Sequence, residues 1–223
     1  MNKLITIVLT VLLVCSCSTT PKEKPFEVDL KSPRYTAGSA EAYMTKAFSL
    51  KGTLAKTDLG ISYYPVEDAV CLEFKVLLVR CQQFWDRDGR EAFVNAFERY
   101  KGEYERRELK VTKNKKVRGM YGDIRGYFAW KKTPVSVHAH APAIVRLGYQ
   151  FKDRSAFFTT TQMEAYYEDS ISRTRSQTSP VTIMFFTRAQ AEALIELFNQ
   201  DYLRTLGLPG GSAPIPYTEV DEY

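Results

Sequence analysis

Apolar residues at Ala143, Val145, Leu147, Tyr149 and Phe151 alternate with other positions, the period-two pattern of a strand with one buried face. The same reading predicts strands over 120–130, 135–151 (interrupted at Pro142), 156–167 and 181–186. Upstream, 61–64 and 65–68 read as one arm and turn of a hairpin that enters a long strand over 69–84. That strand is rich in Val, Leu, Phe and Cys and apolar on both faces, so a central place in a sheet is expected. The period changes to helical after Asp88, where Glu91 follows at capping-box spacing and Phe93, Phe97, Tyr100 and Tyr104 form one aromatic face. A second helix follows Thr187 and Gln190, with Ala191, Leu194, Ile195, Phe198 and Tyr202 as its buried stripe and Gly207 as its stop. The 39–50 stretch suits a short helix, although Met44 and Phe48 keep a strand open there.

This order predicts an α+β domain: an antiparallel sheet of five to six strands with two main helices on one face. It is similar to the order in TATA-binding-protein-like and helix-grip folds, a likeness of architecture that carries no function. Glu91, Ala92, Phe93, Val94 and Phe97 match Glu192, Ala193, Leu194, Ile195 and Phe198 in type and spacing. Two amphipathic helices obeying one packing rule account for the match, with duplication of a strand-helix unit as the alternative.

The amino terminus follows neither pattern. Lys3 precedes an apolar run over 4–14, and Val14, Ser16 and Cys17 follow as branched, small and thiol residues. A run this short does not span a bilayer, which takes about 20 apolar residues. The leader resembles the signal peptide and lipobox of a bacterial lipoprotein precursor. Cys15, where the lipobox has a small or branched residue, departs from the pattern. The resemblance implies cleavage after residue 16 and a diacylglyceryl thioether with an N-acyl chain on Cys17, enough acyl chain for stable anchoring in the membrane. Ser18, where an aspartate would signal inner-membrane retention, favours the outer membrane. The domain plan is a signal peptide over 1–16, a lipidated flexible tether over 17–38, one α+β domain over 39–207 and a Pro/Gly-rich mobile tail over 208–223.

Composition bounds the partners. With 44% hydrophobic and 13% aromatic residues in 223, the bulk of the chain folds. A net charge of +5 in an exported chain points at most to anionic surfaces and does not support nucleic-acid binding. Cys71 and Cys81, separated by about 33 Å if the chain between them is extended, are expected as free thiols.

Candidate chemistry is sparse. His138 and His140 share a strand face, where they would serve as two metal ligands. A third is needed, with Glu164 or Asp123 within reach across a sheet. Asp86 and Asp88 resemble the start of a calcium loop but lack its remaining ligands, and capping explains them. Serine-nucleophile, phosphate-loop and dinucleotide motifs are not present in the sequence, and the pattern implies no cofactor. Aromatic doublets at Tyr63/Tyr64, Phe157/Phe158, Tyr166/Tyr167 and Phe185/Phe186 put one ring on each sheet face. Tyr64, Phe158 and Tyr166 are thus candidates for an open aromatic face that binds an envelope protein, peptide or glycan. The expectation is a non-enzymatic, lipid-anchored envelope binding or interaction domain; the alternative is a metal-assisted hydrolase using His138 and His140.

Overall fold

The computed structural model describes residues 26–45, 52–110, 120–132, 138–168 and 176–208. Eight strands close into a barrel: β1 (Tyr35–Thr45), β2 (Leu54–Tyr64), β3 (Ala69–Val76), β4 (Val79–Trp85), β5 (Met120–Lys132), β6 (Ala139–Lys152), β7 (Ser155–Gln162) and β10 (Thr182–Phe186). Neighbours run β1-β2-β3-β4-β5-β6-β7-β10, every pair antiparallel. The β1–β10 pairing, Tyr43 opposite Phe185 and Met44 opposite Met184, completes the ring. A two-stranded ribbon, β8 (Tyr166–Tyr167) and β9 (Gln177–Thr178), stands outside it. Helices are α1 (Arg87–Glu105), α2 (Arg188–Glu196) and α3 (Gln200–Leu206).

The open sheet of five to six strands is therefore corrected to a closed barrel, and the TATA-binding-protein-like and helix-grip likeness goes with it. Two elements make the difference. The apolar 69–84 stretch is two strands, turning at Leu77 and Leu78, because both faces of the sheet are covered here and each arm is apolar on both. Residues 39–45 of the stretch expected as a short helix instead form the end of β1, which removes both sheet edges by bridging β2 and β10.

Alternate residues from all eight strands fill the interior, among them Ala42, Leu59, Leu72, Cys81, Phe128, Val145, Phe158 and Met184. Their neighbours face outward, and one outward patch is also buried: Phe26, Val28 and Leu30 from the 26–34 segment lie over Tyr64, Ala69, Cys71, Phe84, Tyr127 and Ala129. Residues 26–38, expected within the tether, are thus packed strap and first strand. Cys71 and Cys81 are buried free thiols. They lie in separate clusters, Cys71 under the strap and Cys81 in the interior, because their strands point them to opposite faces of the sheet.

Both α1 and α2 follow strands that run away from the β3–β4 turn, so the helices gather at the opposite side of the barrel. Asp86 caps α1 in place of the expected Asp88, accepting the Gly89 N–H at 2.8 Å. The aromatic face of α1 enters the core, where Phe93 meets Trp85, Phe158, Phe186 and Phe198 at ring separations of 5.3–6.0 Å. The final helix is broken at 197–199, where Asn199 caps α3. The Thr187–Gln190 capping box is present on α2. The leader, Cys17, the 17–25 part of the tether, the 46–50 end of the stretch expected as a short helix and the tail beyond 208 lie outside the described residues.

Candidate functional site

A cleft of about 870 Å³ opens where the start of α1 meets β5 and β6. Its apolar floor is Gly126, Pro142, Ala143, Ile144 and Met163, and Phe26 of the strap borders it. The register sets Gly126 opposite Ala143, and Tyr127 opposite Pro142. A Cβ at Gly126 would lie 2.6 Å from the Phe84 carbonyl oxygen, and one at Gly89 would lie 2.8 Å from Ile124 Cγ2. Glycine at both positions lets helix and strands approach closely. Met163 is held from two sides, its N–H donating to the Ile144 carbonyl and its own carbonyl accepting from Gln162 Nε2 at 2.7 Å. Gln162 in turn accepts from Gln83 Nε2 at 2.7 Å inside the barrel, so the floor is tied to the core.

Carboxylates dominate the rim: Asp86, Asp88, Asp123 and Glu164, against one cation, Arg125. The positive end of α1 is already answered by Asp86 and by Asp88 in its first turn. Burial pushes the Asp86 carboxyl up, the Gly89 N–H works against this, and Asp88 raises it further. Asp123 faces Arg146 at 3.8 Å across the β5–β6 pair, a loose and exposed ion pair. An apolar floor under a mostly anionic rim suits a cationic group carried on an apolar stem.

The sequence-predicted residues are scattered. His140 lies on β6 opposite Ala129, and His138 just precedes the strand. Burial first, then His140, Lys131 and Arg80, push His138 down to about 4. His140 is lowered by burial, is partnered through Nδ1 by the Tyr127 hydroxyl, and packs against Tyr167 at a ring separation of 5.5 Å. Asp123 lies six residues along β5 from Ala129, the register partner of His140, roughly 20 Å away along the strand. Among the described residues no group of three or more His, Cys, Asp or Glu converges to hold a metal. Tyr64 is buried under the strap and Phe158 lies in the barrel interior, while Tyr166 is 61% exposed on β8. They share no surface. The outer aromatics that do line up are Tyr64, Phe84, Tyr127, His140 and Tyr167, in ring contact one after another at 5.3–6.3 Å.

A family model described as "Uncharacterised Treponema protein" matches residues 35–205, from the first residue of β1 into α3. The chain belongs to that family. No curated protein and no solved structure matches it. In this member of the Treponema family the matched span covers the whole barrel and almost all of the helical side, including every cleft residue except Phe26.

Sequence reasoning named Asp86 and Asp88 as caps and Asp123 and Glu164 as possible metal ligands, but did not bring them together around one cleft. One signal was available: Gly126 and Pro142 are both poor strand formers, and each interrupts a run otherwise read as strand. Two such interruptions in neighbouring strands mark a place where something else approaches the sheet.

Proposed function

We propose that this chain is a lipid-anchored, non-enzymatic binding domain of the bacterial envelope, whose cleft at the head of α1 takes a cationic, partly apolar segment of an envelope protein or peptide. The observation that carries the reading is the rim of four carboxylates and one arginine over an apolar floor. The anchor rests on the leader pattern ending in Val14, Ser16 and Cys17, with the outer membrane favoured by Ser18. Cys17 holds the membrane end, and the barrel presents the cleft.

A fluorescent peptide of alternating lysine and leucine is the probe. Asp123→Asn with Glu164→Gln is expected to weaken its binding about tenfold, two partly exposed ion contacts being lost. Added salt should weaken binding to the parent chain more than binding to the double variant, which keeps only the carboxylates of Asp86 and Asp88 on the rim. Equal binding by parent and variant would remove the cleft from the reading. Mass spectrometry of the chain from its native membrane tests the anchor separately: a Cys17 amino terminus with a diacylglyceryl group is expected, and an unmodified one would end that part.

A further inference from the structure

The β3–β4 hairpin turns over two residues, Leu77 and Leu78, between the paired Val76 and Val79. Two-residue turns favour Asn, Asp and Gly, because their central positions call for positive φ. Leu77 takes φ of +55° all the same, a conformation that disfavours a branched side chain. Neither leucine gains burial in return: Leu77 is 62% and Leu78 76% exposed. Two leucines therefore stand in water at a convex apex, on a backbone one of them fits badly.

Behind the apex the register aligns like charges. Lys75 stands opposite Arg80, and Arg80 opposite Lys131. Alternation against the inward Phe74, Cys81 and Trp130 puts all three side chains on the outer face. His138, just before β6, feels both Lys131 and Arg80. Like charges directly opposite each other destabilise a sheet. The exposed apex gains nothing from folding alone, and an apolar tip beside a basic row suits one surrounding, a bilayer interface with anionic headgroups.

We propose that the β3–β4 hairpin docks on an anionic membrane surface, Leu77 and Leu78 entering the interface while Lys75, Arg80 and Lys131 meet the lipid phosphates. The convex shape separates this surface from the cleft, which is concave and acidic. Docking at this tip turns the helices away from the membrane, since α1 and α2 follow strands running away from it. The proposed attachment at Cys17 is compatible with this pose and is not required by it. The nine residues from Cys17 to Phe26 reach about 30 Å when extended. The run along β5 from the cleft at Arg125 to Lys131 is roughly 20 Å.

The test uses the full chain with Leu78→Trp, mixed with vesicles of brominated phosphatidylcholine and phosphatidylglycerol. Trp85 and Trp130 are fully buried, so they supply a constant background. Glu91→Trp, on the exposed face of α1, is the control. A blue shift and bromine quenching are expected of the Leu78→Trp chain and not of the Glu91→Trp chain. Both signals should fall to the control level on vesicles lacking phosphatidylglycerol, and when Lys75→Gln and Arg80→Gln are added. No quenching of the indole at position 78, or equal quenching at both positions, overturns the docking. Quenching that persists on neutral vesicles overturns the role of the basic row.

Discussion

Arg90 of α1 grips Asp68 at the β2–β3 turn with both ends of its guanidinium, Nη1 on the Asp68 carbonyl at 2.6 Å and Nη2 on Oδ1 at 2.9 Å. Gln200 of α3 bonds to both partners, and the Tyr63 hydroxyl donates to Asp68 as well, so one network joins both helices to the barrel. Arg90 is 3% exposed and Asp68 37%. The asymmetry decides which substitution hurts. Asp68→Asn keeps a residue that accepts the positive φ of 46° here, yet it leaves a buried cation without its counter-charge. The expected loss is about 3 kcal/mol, read as a lower denaturant midpoint at unchanged m. Arg90→Met should cost less, because the exposed part of Asp68 can hydrate. The reverse order would show that packing, not charge, sets the value of this contact.

Acid should act on the same network. Burial pushes the Asp68 carboxyl up, but hydrogen bonds from Gln200 and Arg90, with the Arg90 charge, outweigh it and hold the group below its ordinary range. A carboxyl lowered by folding stabilises the fold above its unfolded pKa, about 3.9, and loses that contribution as pH falls through the folded value. Asp68→Asn should therefore narrow its deficit against the parent as pH falls below about 4. A deficit that stays constant down to the acid transition would contradict the linkage.

His138 gives a dependence in a different window. Its folded pKa of about 4 lies below the unfolded value of about 6.5. Between the two, the unfolded chain binds a proton that the folded chain refuses, so stability falls as pH is lowered through this window. His138→Gln should flatten that part of the curve. Denaturant midpoints at pH 7 and pH 5 for both chains, with the His138 ring titrated by NMR, decide the matter; a ring that titrates near 6.5 sinks it.

Much of the local structure was legible. The alternation at Ala143, Val145 and Leu147 does mark inward positions, and Phe93, Phe97 and Tyr100 are buried on one helix face as their spacing implies. The closed barrel was not, for two physical reasons. Leu77 and Leu78 carry no turn chemistry, so a hairpin looked like one long strand. The strap over Cys71 and Phe84 made both faces apolar, which reads as a central strand of an open sheet. The doublets on barrel strands divide between its two faces, but Tyr166 and Tyr167 stand on the separate β8–β9 ribbon, where Tyr167 and not Tyr166 contacts His140. The cleft depends on close approach at Gly89 and Gly126, a tertiary relation no local period records.

Phe93 links the helices to the barrel through four rings, so Phe93→Ala should cost 3–5 kcal/mol, about the range for deleting a buried Phe. Phe97→Ala touches Phe158 and Tyr100 but none of the α2–α3 junction. Hydrogen exchange should then show early opening of α2 and α3 in the Phe93 variant and not in the Phe97 one. Equal protection of α2 and α3 in both would mean that Phe198 holds them without Phe93.

Leu77 offers the sharpest separation of folding from binding. Relief of the left-handed conformation in Leu77→Asn should stabilise the chain by about 1 kcal/mol, since Asn fits this region of backbone space and Leu does not. The exposed leucine buries too little surface to offset that gain. The same change removes half of the apolar apex, so when it is added to the Leu78→Trp chain, quenching on anionic vesicles should drop. Stability and membrane contact then move in opposite directions, as expected of a residue kept for its surface rather than its fold. If Leu77→Asn lowers the denaturant midpoint, the tip is held by contacts that favour Leu, and strain at φ +55° no longer speaks for a binding role.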